Sequence, residues 1–343
     1  MTILRWAAAL AALGISIPSA AQAQETPRNQ PWDSGYRPPM TASGHPDLQG
    51  NWTNVTITPF QREEGREPFY TWDEVDRLEG RAEAIIENRA QPSDPNRPPP
   101  PATSDPGGYN NVYIDRGTNI AIVNGEPRTS LVTNPPDGRV PGLTPLGQRR
   151  RAERARSRAG FAAYDHPELR PLGERCLVSF GTSVGPPMLP NTFYNNNYTI
   201  VQTEDHVLIL AEMVHDYRVI RLGEPDHRLP ESVTPWFGDS WGHWEGNTLV
   251  VETTNLNPNY PFQGMPPSPD TKVYERFTRA DDDTILYEFT IDDPAYTQPW
   301  GGQVPFERFD DLVYEYACHE GNYALMNILS GARYQESQLT SGR

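Results

Sequence analysis

Three histidines sit in polar and aromatic surroundings where a proton could be moved. They are His215 in Glu212-Met-Val-His-Asp-Tyr-Arg218, His243 in Gly238-Asp-Ser-Trp-Gly-His-Trp-Glu245, and His319 in Cys318-His-Glu320. Free imidazole titrates at about pH 6.5, so histidine suits acid–base work near neutrality. Asp216, Asp239 or Glu320 could orient a ring or serve as the second acid or base. Tyr217, Tyr314 and Arg218 are of the type that stabilises an oxyanion or anchors a carboxylate. Trp241, Trp244 and Trp300 could supply the apolar wall such a site needs. The catalytic set is therefore read as His215, His243, Tyr217 and Asp239. The substrate-binding set is Arg218, Trp241, Trp244, Trp300, His319 and Glu320.

The same residues have a plainer reading. Strand-end His, Asp and Trp side chains often build hydrogen-bond networks that hold loops. Strand parity limits the set too: with His215 facing inward, Asp216 faces outward and Tyr217 returns inward, unless a bulge intervenes. The three histidines and one carboxylate could hold zinc, but their long spacings match no local metal motif, and no metal is assigned. Asp281-Asp-Asp283 is first a tight turn, since it lacks the spacing of an EF-hand loop. Among the strand carboxylates Glu252, Glu288 and Asp292, Glu288 shares a face with Leu286 and Thr290, opposite Tyr287, Phe289 and Ile291, and reads as outward-facing. No dinucleotide loop, phosphate loop, HExxH, Gly-x-Ser-x-Gly elbow or CxxC pattern is present, so no cofactor is expected.

The elements that must position these residues are mostly strands. From residue 198 onward apolar residues alternate with polar ones: Tyr198–Thr203 and His206–Met213 form one hairpin, and Tyr217–Leu222 continues it. Ser240–Trp244 with Thr248–Thr254, and Val273–Arg279 with Thr284–Asp292, form two more, and 304–309 and 312–318 read as further strands. Asn124-Gly125 supplies the positive φ angles of a tight turn within a hairpin over 119–133. Helices are expected over 72–90, over 145–160 with Thr144 as cap, and over 322–330. The second carries Arg149, Arg150, Arg151, Arg154, Arg156 and Arg158, either a solvated face or a ridge for phosphate or carboxylate. The fold class is mainly β. An antiparallel meander would close as a lipocalin-like barrel or curved half-barrel, because closure removes exposed edges. A few peripheral helices and long Pro-rich loops surround it.

The first 23 residues read as a signal peptide: Arg5, the apolar run Trp6 to Ile17, and Ala21-Gln22-Ala23 before the cut. Residues 24–49 would form an extended arm and 50–343 a single β-rich domain with a helical and loop insertion at about 57–118. The apolar run is too short to anchor the chain in a membrane, so a soluble periplasmic protein is expected. The chain has 45 acidic against 29 basic residues, a formal charge of −16, which argues against nucleic acid and anionic lipid as partners and leaves a small molecule. Its 36 prolines favour irregular segments over a helical bundle. The two cysteines, Cys176 and Cys318, are read as a structural disulfide in an oxidising compartment.

The phrase Ser43-Gly44-His45-Pro46-Asp47-Leu48-Gln49-Gly50-Asn51-Trp52 resembles the opening of a large set of exported proteins from soil and marine bacteria. The resemblance extends through Arg128-Thr-Ser-Leu131, Pro135-Pro-Asp-Gly-Arg139, Gly238-Asp-Ser-Trp-Gly-His-Trp-Glu-Gly246 and Cys318-His-Glu-Gly-Asn-Tyr323. It implies export and unity of fold, and it carries no reaction. Gly50-x-Trp52 on a first strand also resembles the opening of lipocalin barrels, although 57–118 departs from their simple pattern.

Two kinds of function follow. One is an exported small-molecule enzyme using His/Asp/Tyr acid–base chemistry: a lyase, hydratase or isomerase, less readily a hydrolase. It requires His215 and His243 to converge. The other is a noncatalytic lipocalin-like binder of a hydrophobic or aromatic molecule, with an aromatic-lined cavity and few convergent ionisable groups. An envelope structural protein would instead need a filled barrel and a contiguous exposed apolar patch.

Overall fold

The computed structural model describes residues 28–92, 96, 114–191, 194–225 and 227–341. The expected leader lies outside the described residues. The strands are β1 (Gly50–Thr53), β2 (Ile122–Val123), β3 (Glu126–Pro127), β4 (Val132–Asn134), β5 (Asn197–Gln202), β6 (His206–Ala211), β7 (Tyr217–Leu222), β8 (Asp239–Glu245), β9 (Thr248–Thr254), β10 (Lys272–Arg279), β11 (Thr284–Asp292) and β12 (Trp300–Arg308). The helices are α1 (Trp72–Ala90), α2 (Pro145–Ser157) and α3 (Tyr323–Ser341).

Strands β5 to β12 follow one another around a sheet, and β1 closes it by pairing with β5 on one side and β12 on the other. The result is a nine-strand lipocalin-like barrel. Its core follows from the period-2 pattern. Val207, Ile209, Ile220, Leu249, Val251, Val273, Phe277, Ile285, Tyr287, Phe289, Trp300, Val304 and Phe306 all lie buried. Each large apolar side chain withdrawn from water contributes roughly 1.5–3 kcal/mol. Glu288 stands on the outer face, where Gln303 donates to it at 2.8 Å. Along β12 the partner changes: its C-terminal half pairs with β1, and Gly301 and Gly302 pair with β4. A side chain at Gly302 would collide with the Leu131 carbonyl, so the close approach of β4 requires glycine there.

One pairing departs from the expected meander. β7 and β8 run parallel, with Ile220 beside Ser240 and Leu222 beside Gly242. Residues 223–238, with Pro225, Pro230 and Pro235, return the chain to the end at which β7 began. The barrel is therefore mixed. Two further expectations change. Residues 312–318 are not a strand, and the last helix runs to Ser341 with no buried residue among those described, so it does not close the barrel.

Local rules place the helices. Thr71 and Glu74 form a reciprocal capping box for α1, which buries only Val75 and lies on the surface. Thr144 caps α2, with Pro145 in its first turn. The expected disulfide joins Cys176 to Cys318 across 142 residues. The arm residues 36–48 lie against one barrel end, where Leu48 is fully buried. No described helix is long and apolar enough to cross a membrane.

Candidate functional site

The segment 176–190 has Gly, Pro and Ser where a strand or helix would have periodic apolar residues, and it enters the barrel instead of joining its wall. Val178, Val184, Met188 and Leu189 are buried on it. Inside, Arg218 and Glu275 form a two-pronged ion pair, with N–O distances of 2.7 and 2.9 Å. The Tyr287 hydroxyl donates to Glu275 at 2.8 Å and accepts from the Met188 amide at 2.9 Å. Burial raises the Tyr287 phenol well above its ordinary range, with the Glu275 charge adding to it. Nearer the end, Asp216 accepts from the Ser179 amide at 2.8 Å and the Ser183 hydroxyl at 2.7 Å. Burial raises its carboxyl above the ordinary value, against the pull of those bonds. These groups hold the inserted segment like a plug.

A cleft remains at that same end. A cavity of about 220 Å³ is walled by Trp236, Leu256, Tyr260, Phe262, Met265 and Tyr296, with Val273 and Ile291 beneath and Pro186 and Pro187 of the plug facing them. A second lobe of about 550 Å³, walled by Thr56–Phe60, Leu131, Leu189 and Pro190, shares Gly181, Thr182 and Gln263 with the first. Among the described residues Asp293 is the only carboxylate lining either lobe, and it is occupied; Arg116 also lines the second lobe. Arg150 donates to both its oxygens at 2.9 and 3.0 Å, the Thr271 hydroxyl to one of them at 2.7 Å and the Ala295 amide to the other at 2.7 Å. Tyr260 donates to the Gly181 carbonyl at 3.0 Å and accepts from the Ser183 amide at 3.1 Å, and burial raises its phenol far above the ordinary value. The Tyr296 hydroxyl makes no hydrogen bond among the described residues. Its phenol is pushed up to about 12, by burial first and Asp293 next, with Arg151 and Arg150 opposing.

The residues singled out from the sequence are scattered. His215 and Tyr217 are exposed at the cleft end, with His215 Nε2 4.0 Å from Glu315 Oε1. His243 is exposed on the outer face, 3.3 Å from Glu245. The parallel register puts His243 level with residue 223, about six residues or 20 Å along the barrel from Tyr217. The histidines therefore do not converge. Asp239 is buried and engaged by Arg221 and the Leu229 amide, which makes it an anchor for the 223–238 crossover. Arg218 faces inward as a charge-binding group would, but Glu275 already occupies it. Trp241 stacks under Arg221 on the outer face, whereas Trp244, of opposite parity, stacks against His45 at 5.2 Å and packs against the core. His319, Glu320 and Tyr314 are exposed on the segment beyond β12. Among the described residues, no three His, Cys, Asp or Glu side chains are grouped to hold a metal.

Trp300 alone of the proposed wall stands near the cleft, one layer behind it. It stacks on Phe262 at 5.8 Å and meets Tyr296 edge-on at 5.6 Å. The residues missed are those of 181–187 and 256–267, whose loops carry no periodic signal. The aromatic density of Tyr260-Pro-Phe262 and the isolated Trp236 were the available hints.

The chain matches no protein-family model, no curated protein and no solved structure.

Proposed function

We propose that this chain is an exported, periplasmic, lipocalin-like binder that holds a small, largely apolar molecule in the cleft at the plugged end of its barrel. One observation carries this reading: an aromatic and aliphatic cavity whose single carboxylate is saturated by its own neighbours. Such a wall can exclude water and grip an apolar body, and it offers no free base or nucleophile at hydrogen-bond reach. The acid–base alternative required His215 and His243 to meet, and the parallel β7–β8 register separates them. The disulfide and the absence of a membrane-crossing helix among the described residues are compatible with export.

The test is titration of the purified protein with the neutral fluorophore N-phenylnaphthylamine. Saturable binding is expected in the micromolar range. Leu256→Trp, which fills the half-buried cleft wall, should weaken it at least about tenfold while the protein keeps its circular dichroism, since affinity here rests on space for the apolar body. Unchanged binding in the variant would remove the cleft from consideration.

A further inference from the structure

The face of α2 that packs on the loops walling the cleft carries a row of arginines. Gly147 packs so tightly on the Ala295 carbonyl that a side chain there would collide, and the Thr144 hydroxyl donates to the Pro294 carbonyl at 2.8 Å. Arg150, three residues on, donates to the Pro266 carbonyl at 3.1 Å and to Asp293. The helix is thereby fixed to the two loops that wall the cavity, those carrying Met265 and Pro267 and those carrying Asp293 and Tyr296. Residues three, four, seven and eleven beyond Gly147 share its side of the helix, and these are Arg150, Arg151, Arg154 and Arg158.

Only Arg150 on this stripe has an anionic partner. Arg151, Arg154 and Arg158 make no ion pair and no side-chain hydrogen bond among the described residues; the pair of Arg156 with Glu153 lies off the stripe. This occurs on a chain with 45 acidic residues, where an arginine row would ordinarily find carboxylates. Partial burial and the adjacent Arg158 charge both lower the Arg154 guanidinium from its ordinary value, the mark of cations crowded without an anion between them. On the cleft wall beside the row the mostly buried Tyr296 has a hydroxyl with no hydrogen bond among the described residues, and Arg151 is near enough to oppose the rise of its phenol.

We infer that the cleft's ligand is an amphipathic anion: an apolar or aromatic body seated between Phe262, Leu256 and Met265, with a carboxylate, sulfate or sulfonate head that meets the Tyr296 hydroxyl and the Arg151–Arg154 row of α2. This rests on the cleft being a binding site and adds the charge and orientation of what it binds. The head group stays at the rim, where water reaches it, so its desolvation cost is small while the positive field steers and retains it.

Two probes with one skeleton test it, neutral N-phenylnaphthylamine and anionic anilinonaphthalene sulfonate. Arg151→Glu should weaken the sulfonate about tenfold, the size expected for one charge reversal several ångströms away at a protein surface, and change the neutral amine by less than about twofold. Arg151→Gln, which removes the charge without reversing it, should give about threefold. Arg149→Glu makes the same change in net charge on the opposite side of the helix and should leave both affinities alone. Raising salt from low ionic strength to about 0.5 M should erode the sulfonate's advantage only where Arg151 is intact. Equal effects of the Arg151 and Arg149 variants, or none from either, would overturn the anion inference while the cleft reading stood. If neither probe binds the unmodified protein, both readings fall together.

Discussion

At one end of the barrel the strands are joined by short turns at 203–205, 246–247 and 280–283; at the other they are joined by 212–216 and the longer segments 255–271 and 293–299, the crossover 223–238 arrives there from the short-turn end, and the plug enters between them. The short-turn end is sealed by its own chain. Arg279 reaches the carbonyls of Asp47, Asp281 and Asp282 and lies 4.7 Å over the Trp52 ring, whose indole donates to the Leu48 carbonyl at 2.9 Å. Tyr36 of the arm donates to Asp282 at 2.9 Å. The Arg279 charge is spent on closure. At the plugged end the groups that hold the loops are equally well satisfied, but a cavity, a free Tyr296 hydroxyl and unpaired arginines are left over. A protein with no ligand to hold would gain by finishing that end as it finished the other. On the binding function proposed above, unspent polar groups beside an apolar cavity are where closure gives way to a ligand.

The largest way to break this contrast is to release the plug. Glu275→Gln leaves Arg218 in the lumen without a counter-charge, and removing one partner of such a buried pair typically costs about 3–5 kcal/mol. Urea unfolding should show that loss, and probe binding should weaken with it, since Tyr287 and Met188 lose the group that orders them. A loss below about 1 kcal/mol would mean that the plug is held without the Arg218–Glu275 pair.

Arg279→Ala should be the next largest, about 2–3 kcal/mol, because a cation's hydrogen bonds are each worth up to about that much and three carbonyls lose their donor together. Here the two ends should separate cleanly: Arg279→Ala lowers the urea midpoint and leaves probe affinity intact, whereas Leu256→Trp does the reverse. If Arg279→Ala weakened the probe as much as Leu256→Trp, stability and binding would not be divided between the ends.

The sealed end was the more legible one. Asp281-Asp-Asp283 announced one of its turns, and the alternation along β5, β6, β9, β10 and β11 announced the wall. The buried ion pair also left a trace. Glu275 shares parity with Val273 and Phe277, and Arg218 shares parity with Ile220, so two opposite charges stood on apolar faces. The plug left none, because Gly181, Gly185, Pro186 and Pro187 impose turns and erase periodicity. The histidine cluster misled for a topological reason. Whether β8 runs with or against β7 is decided by how far 223–238 travels, and strand pattern is the same in both directions.

The smallest effect is the most specific to the plugged end. Asp216 caps the plug through Ser179 and Ser183, with Tyr260 and His215 the nearest titratable neighbours. Its folded carboxyl is raised, chiefly by burial, above the ordinary value of 3.8. The fold therefore favours the protonated form more than the unfolded chain does. Its contribution to stability is complete below the unfolded value and is lost as pH rises through the folded one. Asp216→Asn keeps an oxygen that accepts from both serines and has no charge to desolvate, so it lacks that loss. Paired urea titrations at pH 3.5 to 7 (about half-unit steps, chosen to span the carboxylate range) should show the variant gaining on the unmodified protein as pH rises past about 4. The gain should level off once Asp216 is fully ionised. A difference that is flat or shrinks with pH would mean that the two serine bonds outweigh burial, and Asp216 would then be an ordinary ionised cap with the plug bound by charge, as the sealed end is.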